Sequence, residues 1–364
     1  MPWLDAYNAT TQPPGILTVG TLGIIVNPLS GRDSRRLTAR ADTVSHESKR
    51  NQIARIAVAA AAAGCSRILV PWEPRRLAIS AVEHLQIDIE VEEIRTPIHH
   101  SARDTSAAVT AMRERGCDVL VVLGGDGTSR AVTKTWADAV LMPLSTGTNN
   151  VFPWWIEPTV AGLAAGLVAA GRLPANDEVA PRAKIVELAI AGEAPDVALI
   201  DALLLRGDRI GNLGPFEPRH METLVLTRAE PDAVGMSPLG GLLCPAGFSD
   251  DFGVRVDFCQ HDQGGRLLRA PVSPGLFRSA HIRDVRRLAL GEPATVEGPG
   301  IIAFDGDRER ELAAGQQATF TVTRKGPRVI DPKLALRLAA ERGLLLGLPH
   351  WVDPYDGGTG GGCC

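Results

Sequence analysis

The chain has 364 residues, enough for two domains that each bury a core. Hydrophobic residues make up 45%, charged residues 22% and aromatics 4%, a globular composition with aliphatic side chains filling the interior. The net charge of −4 supplies no field to gather nucleic acid or an anionic membrane, so a phosphate-bearing ligand must be held locally, by backbone amides and a few side chains.

Residues 1–14 lack a basic leader and an unbroken apolar core, so no signal peptide is expected. Residues 22–26 read as a buried strand and 49–64 as an Ala-rich helix closed by Gly64. A strand at 67–70, a helix at 74–85 and a strand at 87–94 follow. A helix at 101–115 comes next, with Ser101 or Asp104 as N-cap. Residues 118–123 form the clearest buried strand, before a helix at 128–137 and a strand at 140–144. This alternation predicts an α/β domain over 21–175, a doubly wound parallel sheet with helices on both faces. The apolar runs 56–64 and 160–171 are too short or too rich in Gly and Ala to span a bilayer. A cytoplasmic location without stable membrane association or nucleic-acid partner is expected.

After residue 175 the rhythm changes. Strands at 182–190, 197–205, 222–227, 254–258, 287–290, 294–296, 301–304 and 318–323 alternate with Pro- and Gly-rich turns. They predict a β-rich second domain over 176–330 that holds the substrate. A helical segment at 331–350 should pack back on the first domain or the hinge. Residues 1–20 read as an N-terminal extension and 351–364 as a flexible tail. None of the six cysteines has zinc-site spacing, and Cys65 and Cys117 read as small buried thiols. His99-His100 reads as a loop pair. Trp154-Trp155 either anchors the domain junction or stacks on a purine.

Chemistry concentrates in four segments. The strand ending at Leu123 runs into Gly124-Gly125-Asp126-Gly127-Thr128 and then a helix. Glycines let the backbone turn tightly and approach a ligand, and the helix N-terminus directs amides at a polyphosphate. A carboxylate in such a cradle is repulsive unless Asp126 binds Mg²⁺ or takes a proton from an attacking hydroxyl. The bland alternative is that Asp126 caps a helix starting at Thr128. The second segment is the polar loop Thr146-Gly147-Thr148-Asn149-Asn150 after the next strand, either a second wall of the same crevice or an ordinary capping loop. The third is Asn27-Pro28-Leu29-Ser30-Gly31, followed by Arg32, Arg35 and Arg36, which either neutralise phosphate or form a solvated face. The fourth, Asp305-Gly306, is a common hairpin turn. Its functional reading requires the second domain to close over the first.

Together, Asn27-Pro28-x-Ser30-Gly31, Gly124-Gly125-Asp126-Gly127-Thr128 and Asp305-Gly306 resemble the superfamily of NAD kinases, diacylglycerol kinases and sphingosine kinases. The chain is most similar to its ATP-NAD kinase-like branch associated with acetoin catabolism (AcoX). That likeness rests on Asn27 to Asp33, Leu144 to Asn150, Thr227 to Pro231, Gly235 to Gly241 and Asp305 to Glu309 in that order. The resemblance implies a nucleotide-binding α/β domain, a β-rich second domain and an active site between them. It implies ATP as phosphoryl donor with Mg²⁺ and Asp126 as catalytic base or metal ligand. Asn27, Ser30, Gly31, Gly124, Gly125, Gly127, Thr128, Thr146, Gly147, Thr148, Asn149 and Asn150 would bind nucleotide. Asp201, Ser237, Asp305 and Gly306 would face a small-molecule acceptor. Homo-oligomerisation is a family expectation. Where NAD kinases carry an Asn-Glu pair, this chain has Ile200-Asp201, and their substrate loop is echoed only by Met236 to Gly240. Three readings stand open: a kinase for NAD or a related small hydroxyl compound, a diacylglycerol-type lipid kinase, and a non-catalytic nucleotide-binding regulator.

Overall fold

The computed structural model describes residues 20–32, 40–41, 43–147, 150–212, 214 and 216–346. Its first part alternates strand and helix: β1 (Thr21–Val26), α1 (His46–Ala62), β2 (Arg67–Pro71), α2 (Leu77–Val82), β3 (Glu90–Ile94), α3 (Ala102–Glu114), β4 (Val119–Gly124), α4 (Asp126–Thr135), β5 (Val140–Ser145) and α5 (Pro158–Ala169). The second part carries β6 (Ile185–Ile190), β7 (Asp196–Ala198), β8 (Asp201–Leu205), β9 (Met221–Leu226), a short α6 (Ser237–Gly241), β10 (Phe252–Cys259), β11 (Arg266–Ser273) and β12 (Leu276–Ala289). It continues through β13 (Pro293–Glu297), β14 (Gly300–Phe304), β15 (Asp307–Leu312) and β16 (Gln317–Thr323). The chain then returns to the first part through β17 (Arg328–Val329) and α7 (Pro332–Glu341).

The first sheet has the order β17-β5-β4-β1-β2-β3, and every pair in it is parallel. Its central strands are buried on both faces, which is why they read as unbroken apolar runs. Val119, Val121 and Leu123 join Leu22, Ile24 and Val26 beneath α1 and α5. Leu120 and Val122 join Ile25 and Leu69 on the opposite face, with Val109 and Met112 of α3. The Gly- and Ala-rich run of α5 serves close helix packing, since a Cβ on Gly162 would lie 2.5 Å from the Ile56 carbonyl oxygen of α1. Ala335 and Ala339 of α7 complete this core, so the last described helix packs on the first domain. Cys65 and Cys117 are buried thiols, pushed up to about 11 and about 12 chiefly by burial.

The second part stacks a seven-stranded sheet, β11-β12-β10-β9-β8-β14-β15, on a four-stranded one, β13-β16-β6-β7. Val186, Leu188 and Phe320 from the small sheet meet Leu204, Ile302 and Phe304 from the large one. The structure corrects several boundaries. The strand expected at 87–94 begins at Glu90, and the helix expected from Thr128 begins at Asp126. The strand expected at 287–290 is the end of the 14-residue β12, whose hairpin with β11 the sequence pattern does not show. The single strand expected at 197–205 is two strands in different sheets, broken at Leu199 and Ile200.

Candidate active site

In the first sheet the chain moves outward from β1 through β2 to β3 and then starts again on the other side of β1 with β4. Ligands of open α/β sheets bind at such a reversal, outside the carboxyl ends of the strands. A cavity of about 570 Å³ lies there, walled by Asn27 to Ser30, Gly125 to Thr128, Gly147 and Asn150.

Side chains knit its loops together. The Asn27 amide donates to Thr128 Oγ1 (2.9 Å), and its oxygen accepts from the Leu29 and Ser30 amides. The Ser30 and Thr146 hydroxyls lie 2.7 Å apart, tying the loop after β1 to the loop after β5. Gly31 has φ +67, and a Cβ there would lie 2.4 Å from the Thr146 carbonyl oxygen. Beneath this turn lies Lys49, 0% exposed. Its Nζ donates to the carbonyls of Asn27 (2.7 Å), Pro28 (3.2 Å) and Ser30 (2.8 Å). Burial, then Arg32 and Arg75, bring Lys49 down to about 8.

Gly125, without a side chain, is the N-cap of α4, and Asp126 is its first residue. Asp126 therefore does not cap a helix beginning at Thr128. Its carboxylate accepts from the Phe152 amide (3.0 Å) and the Val151 amide (3.2 Å), holding the loop after β5. The amides of the first turn of α4 have no partners within the helix, and Asp126, Gly127 and Thr128 of that turn line the cavity.

The second domain reaches into this crevice through the β14–β15 hairpin. Asp305 (φ +46) and Gly306 (φ +92) make its two-residue turn, as Asp-Gly favours. The Asp305 carboxylate accepts from the amides of Leu199 (2.8 Å), Ile200 (2.8 Å) and Asp201 (3.2 Å). Those captured amides lie where the 197–205 run breaks. The hairpin is held by Arg130 of α4, which donates to Glu309 (2.5 Å), Asp196 (3.0 Å) and the Val197 carbonyl and lies 4.6 Å over the Phe304 ring. Asp126, Asp201 and Asp305 are thus buried close enough to repel one another. Burial, then Asp305, push Asp126 up to about 7. Burial, then Asp305 and Asp126, drive Asp201 well above its usual range. Asp126, Asp201 and Asp305 also line a smaller recess of about 70 Å³ with Phe216, Met236 and Val272. Asp126 and Asp305 are walls of both cavities.

The structure thus gathers Asn27, Ser30, Gly125, Asp126, Gly127, Thr128, Gly147, Asn150 and Asp305 around one cavity, with Gly31, Gly124 and Thr146 shaping its loops. Asp201 and Gly306 line the recess. Thr148, Asn149, Arg35 and Arg36 lie outside the described residues, and Arg32 is exposed. Ser237 does not face either cavity: it is buried, donates to the Arg228 carbonyl and accepts from the Glu230 amide, both at 2.8 Å. Trp154 donates to the Ile330 carbonyl and Trp155 is 75% exposed, so neither is placed to stack on a bound base. The aromatic in the cleft is Trp72, at the end of β2, near Arg75 and His100. Sequence reasoning missed Trp72, Arg75, Lys49 and Arg130. Only Lys49 had a usable signal, since it falls on the helix face of Ile53, Ile56 and Ala60. Among the described residues no group of three or more His, Cys, Asp or Glu side chains is arranged to hold a metal ion. No described helix is long and apolar enough to cross a membrane.

Residues 22–171 match the family described as ATP-NAD kinase N-terminal domain, and residues 184–325 match Acetoin catabolism protein X C-terminal domain. Acetoin catabolism protein X of Cupriavidus necator is 32% identical over 340 residues, covering 90% of this chain and 95% of that protein. Among solved structures, yeast NADH kinase complexed with NADH aligns with a TM-score of 0.49 and 11% identity, over 94% of this chain and 95% of that one. A Bacillus anthracis protein assigned as a diacylglycerol kinase aligns with a TM-score of 0.44 and 12% identity, over 85% and 97%. With one relative matched along nearly its whole length, the chain belongs to the acetoin catabolism protein X family.

Proposed function

We propose that this protein is an ATP-dependent kinase that transfers a phosphoryl group to a hydroxyl of NAD or a related small molecule. The observation that carries this reading is the position of Asp126, which is a wall of both the large cavity and the small recess. Phosphoryl transfer needs donor and acceptor held in line, with a base within reach of the acceptor hydroxyl where the two meet.

The residues present fit a nucleoside triphosphate. The cavity volume of about 570 Å³ is within the range for one such ligand. The α4 N-terminus would receive the phosphates, with Asn150 and Arg75 alongside and Trp72 for the base. Mg²⁺ carried by the phosphate oxygens would neutralise charge on the transferring group, leaving Asp126 to act as base. Phosphate oxygens and water usually complete its shell, so a dedicated protein cage is not required. In transfer, the acceptor oxygen bonds to the γ-phosphorus as the bond to the β–γ bridging oxygen breaks. ADP leaves and the hydroxyl proton passes to Asp126. The pKa of about 7 suits that role, because such a base is partly ionised near neutrality yet more proton-hungry than an exposed aspartate. The Val151 and Phe152 amides fix its direction. The same two bonds favour a second reading, a nucleotide-binding regulator in which Asp126 only holds the loop. The name of the relative suggests acetoin catabolism as the setting for either.

The test is ³¹P NMR of purified protein with ATP, Mg²⁺, NAD and a panel of hydroxyl acceptors, beside Asp126→Asn. The kinase reading expects a phosphorylated acceptor that disappears in the variant while ATP still binds. ATP binding without transfer to any acceptor supports the regulator instead.

A further inference from the structure

The small sheet covers only part of the large one. Their shared core draws on β8, β9, β14 and Leu288 at the end of β12, and on no residue of β11. The β11–β12 hairpin therefore packs through one face: Leu268, Ala270, Val272, Ala280 and Ile282 join the core that holds Leu239 of α6 and Val256 of β10. The register sets its other face. Leu267 pairs with His281, Arg269 with Ser279 and Pro271 with Phe277, and directly paired residues project to the same side. Leu267 is 65% and Phe277 51% exposed. The Arg269 guanidinium lies 5.7 Å from the centre of the Phe277 ring.

The charge of this hairpin runs against that of the chain. Residues 266–283 hold Arg266, Arg269, Arg278 and Arg283 and no aspartate or glutamate, whereas the whole chain has a net charge of −4. A whole-chain balance hides such a local excess. Arg266, Arg269 and Arg283 are exposed, and Arg283 donates to a neutral side chain, Gln263 (3.1 Å).

Two occupants fit this face poorly. β11 is the edge of its sheet, but Pro271 has no N–H to donate, and Arg266 and Arg269 place charge along the strand, so a partner strand is discouraged. Leu267 and the Pro271–Phe277 pair stand four residues apart, about 13 Å, with Arg269 between them. They form no contiguous apolar centre of the kind a protein interface needs. A bilayer makes no such demand. Separate apolar side chains enter its interface singly, while arginines pair with lipid phosphates.

We infer that the outer face of the β11–β12 hairpin docks on an anionic lipid bilayer, with Leu267 and Phe277 entering the interface and Arg266, Arg269 and Arg283 at the phosphates. Two apolar side chains and three charges give reversible attachment, not an anchor. None of these residues is a wall of either cavity, so the inference does not rest on the kinase reading.

The experiment sediments the full chain with sucrose-loaded vesicles of phosphatidylcholine alone and of equal parts phosphatidylcholine and phosphatidylglycerol. The expected result is binding to the mixed vesicles, none to phosphatidylcholine, and loss of binding at high salt. Each arginine near an anionic surface is worth about fivefold, so Arg266→Gln, Arg269→Gln and Arg283→Gln together should lower the partition coefficient about 100-fold. Leu267→Ser with Phe277→Ser should lower it about tenfold. All five positions are exposed, and an unchanged unfolding midpoint shows that each variant is folded. Equal binding to both vesicle types, binding to neither, or full binding by the arginine variant overturns the inference. Retention on an immobilised acidic polypeptide without vesicle binding overturns it and gives the face to an acidic protein. A dimer that Leu267→Ser with Phe277→Ser dissolves, again without vesicle binding, gives it to a second copy instead.

Discussion

Asp126→Asn removes a charge that the fold holds at a cost, and the size and sign of that cost can be worked out. In the folded protein Asp126 lies at about 7 against an ordinary value of 3.8, through burial first and Asp305 second. A group whose folded pKa is the higher one binds more protons folded than unfolded between the two values. Stability therefore falls as pH rises from about 4 to about 7 and stays reduced above that. The displacement corresponds to about 4 kcal/mol at 1.36 kcal/mol per pKa unit. Asparagine keeps the shape and its one oxygen can keep the Oδ1 bonds from the Val151 and Phe152 amides, but its NH₂ replaces the Oδ2 that the Val151 amide also meets at 3.3 Å, so one hydrogen bond is lost, worth about 1–2 kcal/mol. At pH 8 the variant should then be more stable than wild type by about 2 kcal/mol.

At pH 5 only the first part of that fall is present, about 1–2 kcal/mol, because the unfolded aspartate is already ionised while the folded one is neutral, and it roughly cancels the lost hydrogen bond. The variant should therefore match wild type at pH 5 and gain its advantage progressively up to pH 8. Thermal unfolding at pH 5, 6.5 and 8 reads this as a Tm difference that starts near zero and grows to several degrees in the variant's favour. A difference with the same sign and size at all three pH values would refute the account of Asp126 as a buried, raised carboxyl. Turnover must move oppositely. A base near 7 gives wild type an activity that climbs with pH through neutrality, and the variant should lose at least about 100-fold at every pH.

Two further substitutions probe the supports of the site. Lys49→Met leaves the Asn27 and Ser30 carbonyls without their donor and should destabilise the protein by about 3 kcal/mol. It should also raise the KM for ATP, and Lys49→Arg should not restore it, since a planar fork cannot replace a compact ammonium among converging carbonyls. Steady-state kinetics and thermal unfolding check both effects. Arg130→Met strips Glu309 and the Val197 carbonyl of their buried partner but leaves Asp196 paired with Lys134 (2.8 Å) and Arg310 (3.2 Å). The loss should be about 3 kcal/mol, the low end for breaking a buried pair, measured by denaturant unfolding.

What was legible in the sequence follows from where each part of the structure gets its instructions. β4 and β1 are covered on both faces, so a short apolar run suffices to identify them, and Gly124 at the end of β4 is required by its contact with Thr128 in the same turn, whereas Gly125 is required by Asn150 of the loop after β5. The β11–β12 hairpin has an outer edge and a first strand exposed over its first half, so charged residues interrupt its pattern and only its last residues read as strand. The run at 197–205 is locally a good strand. It breaks because Asp305, a hundred residues later, captures the Leu199 and Ile200 amides, and no local pattern carries that information.

The candidate base shows the same division. The residue type and position of Asp126 are set by its own loop, but burial and Asp305 of the second domain raise its affinity for a proton. Burial raises Asp305 too, and this is opposed by Arg130, which springs from the helix that Asp126 begins, and by three amides across the crevice. In the kinase reading the Asp-Gly turn is therefore an ordinary hairpin and a part of the site at once. Its left-handed geometry closes the β14–β15 hairpin, and that closure places a carboxylate where it tunes another. A base whose proton affinity depends on the opposite domain is fully assembled only when the crevice is closed. That dependence ties the chemistry to the latch made by Arg130 rather than to the glycine loop alone.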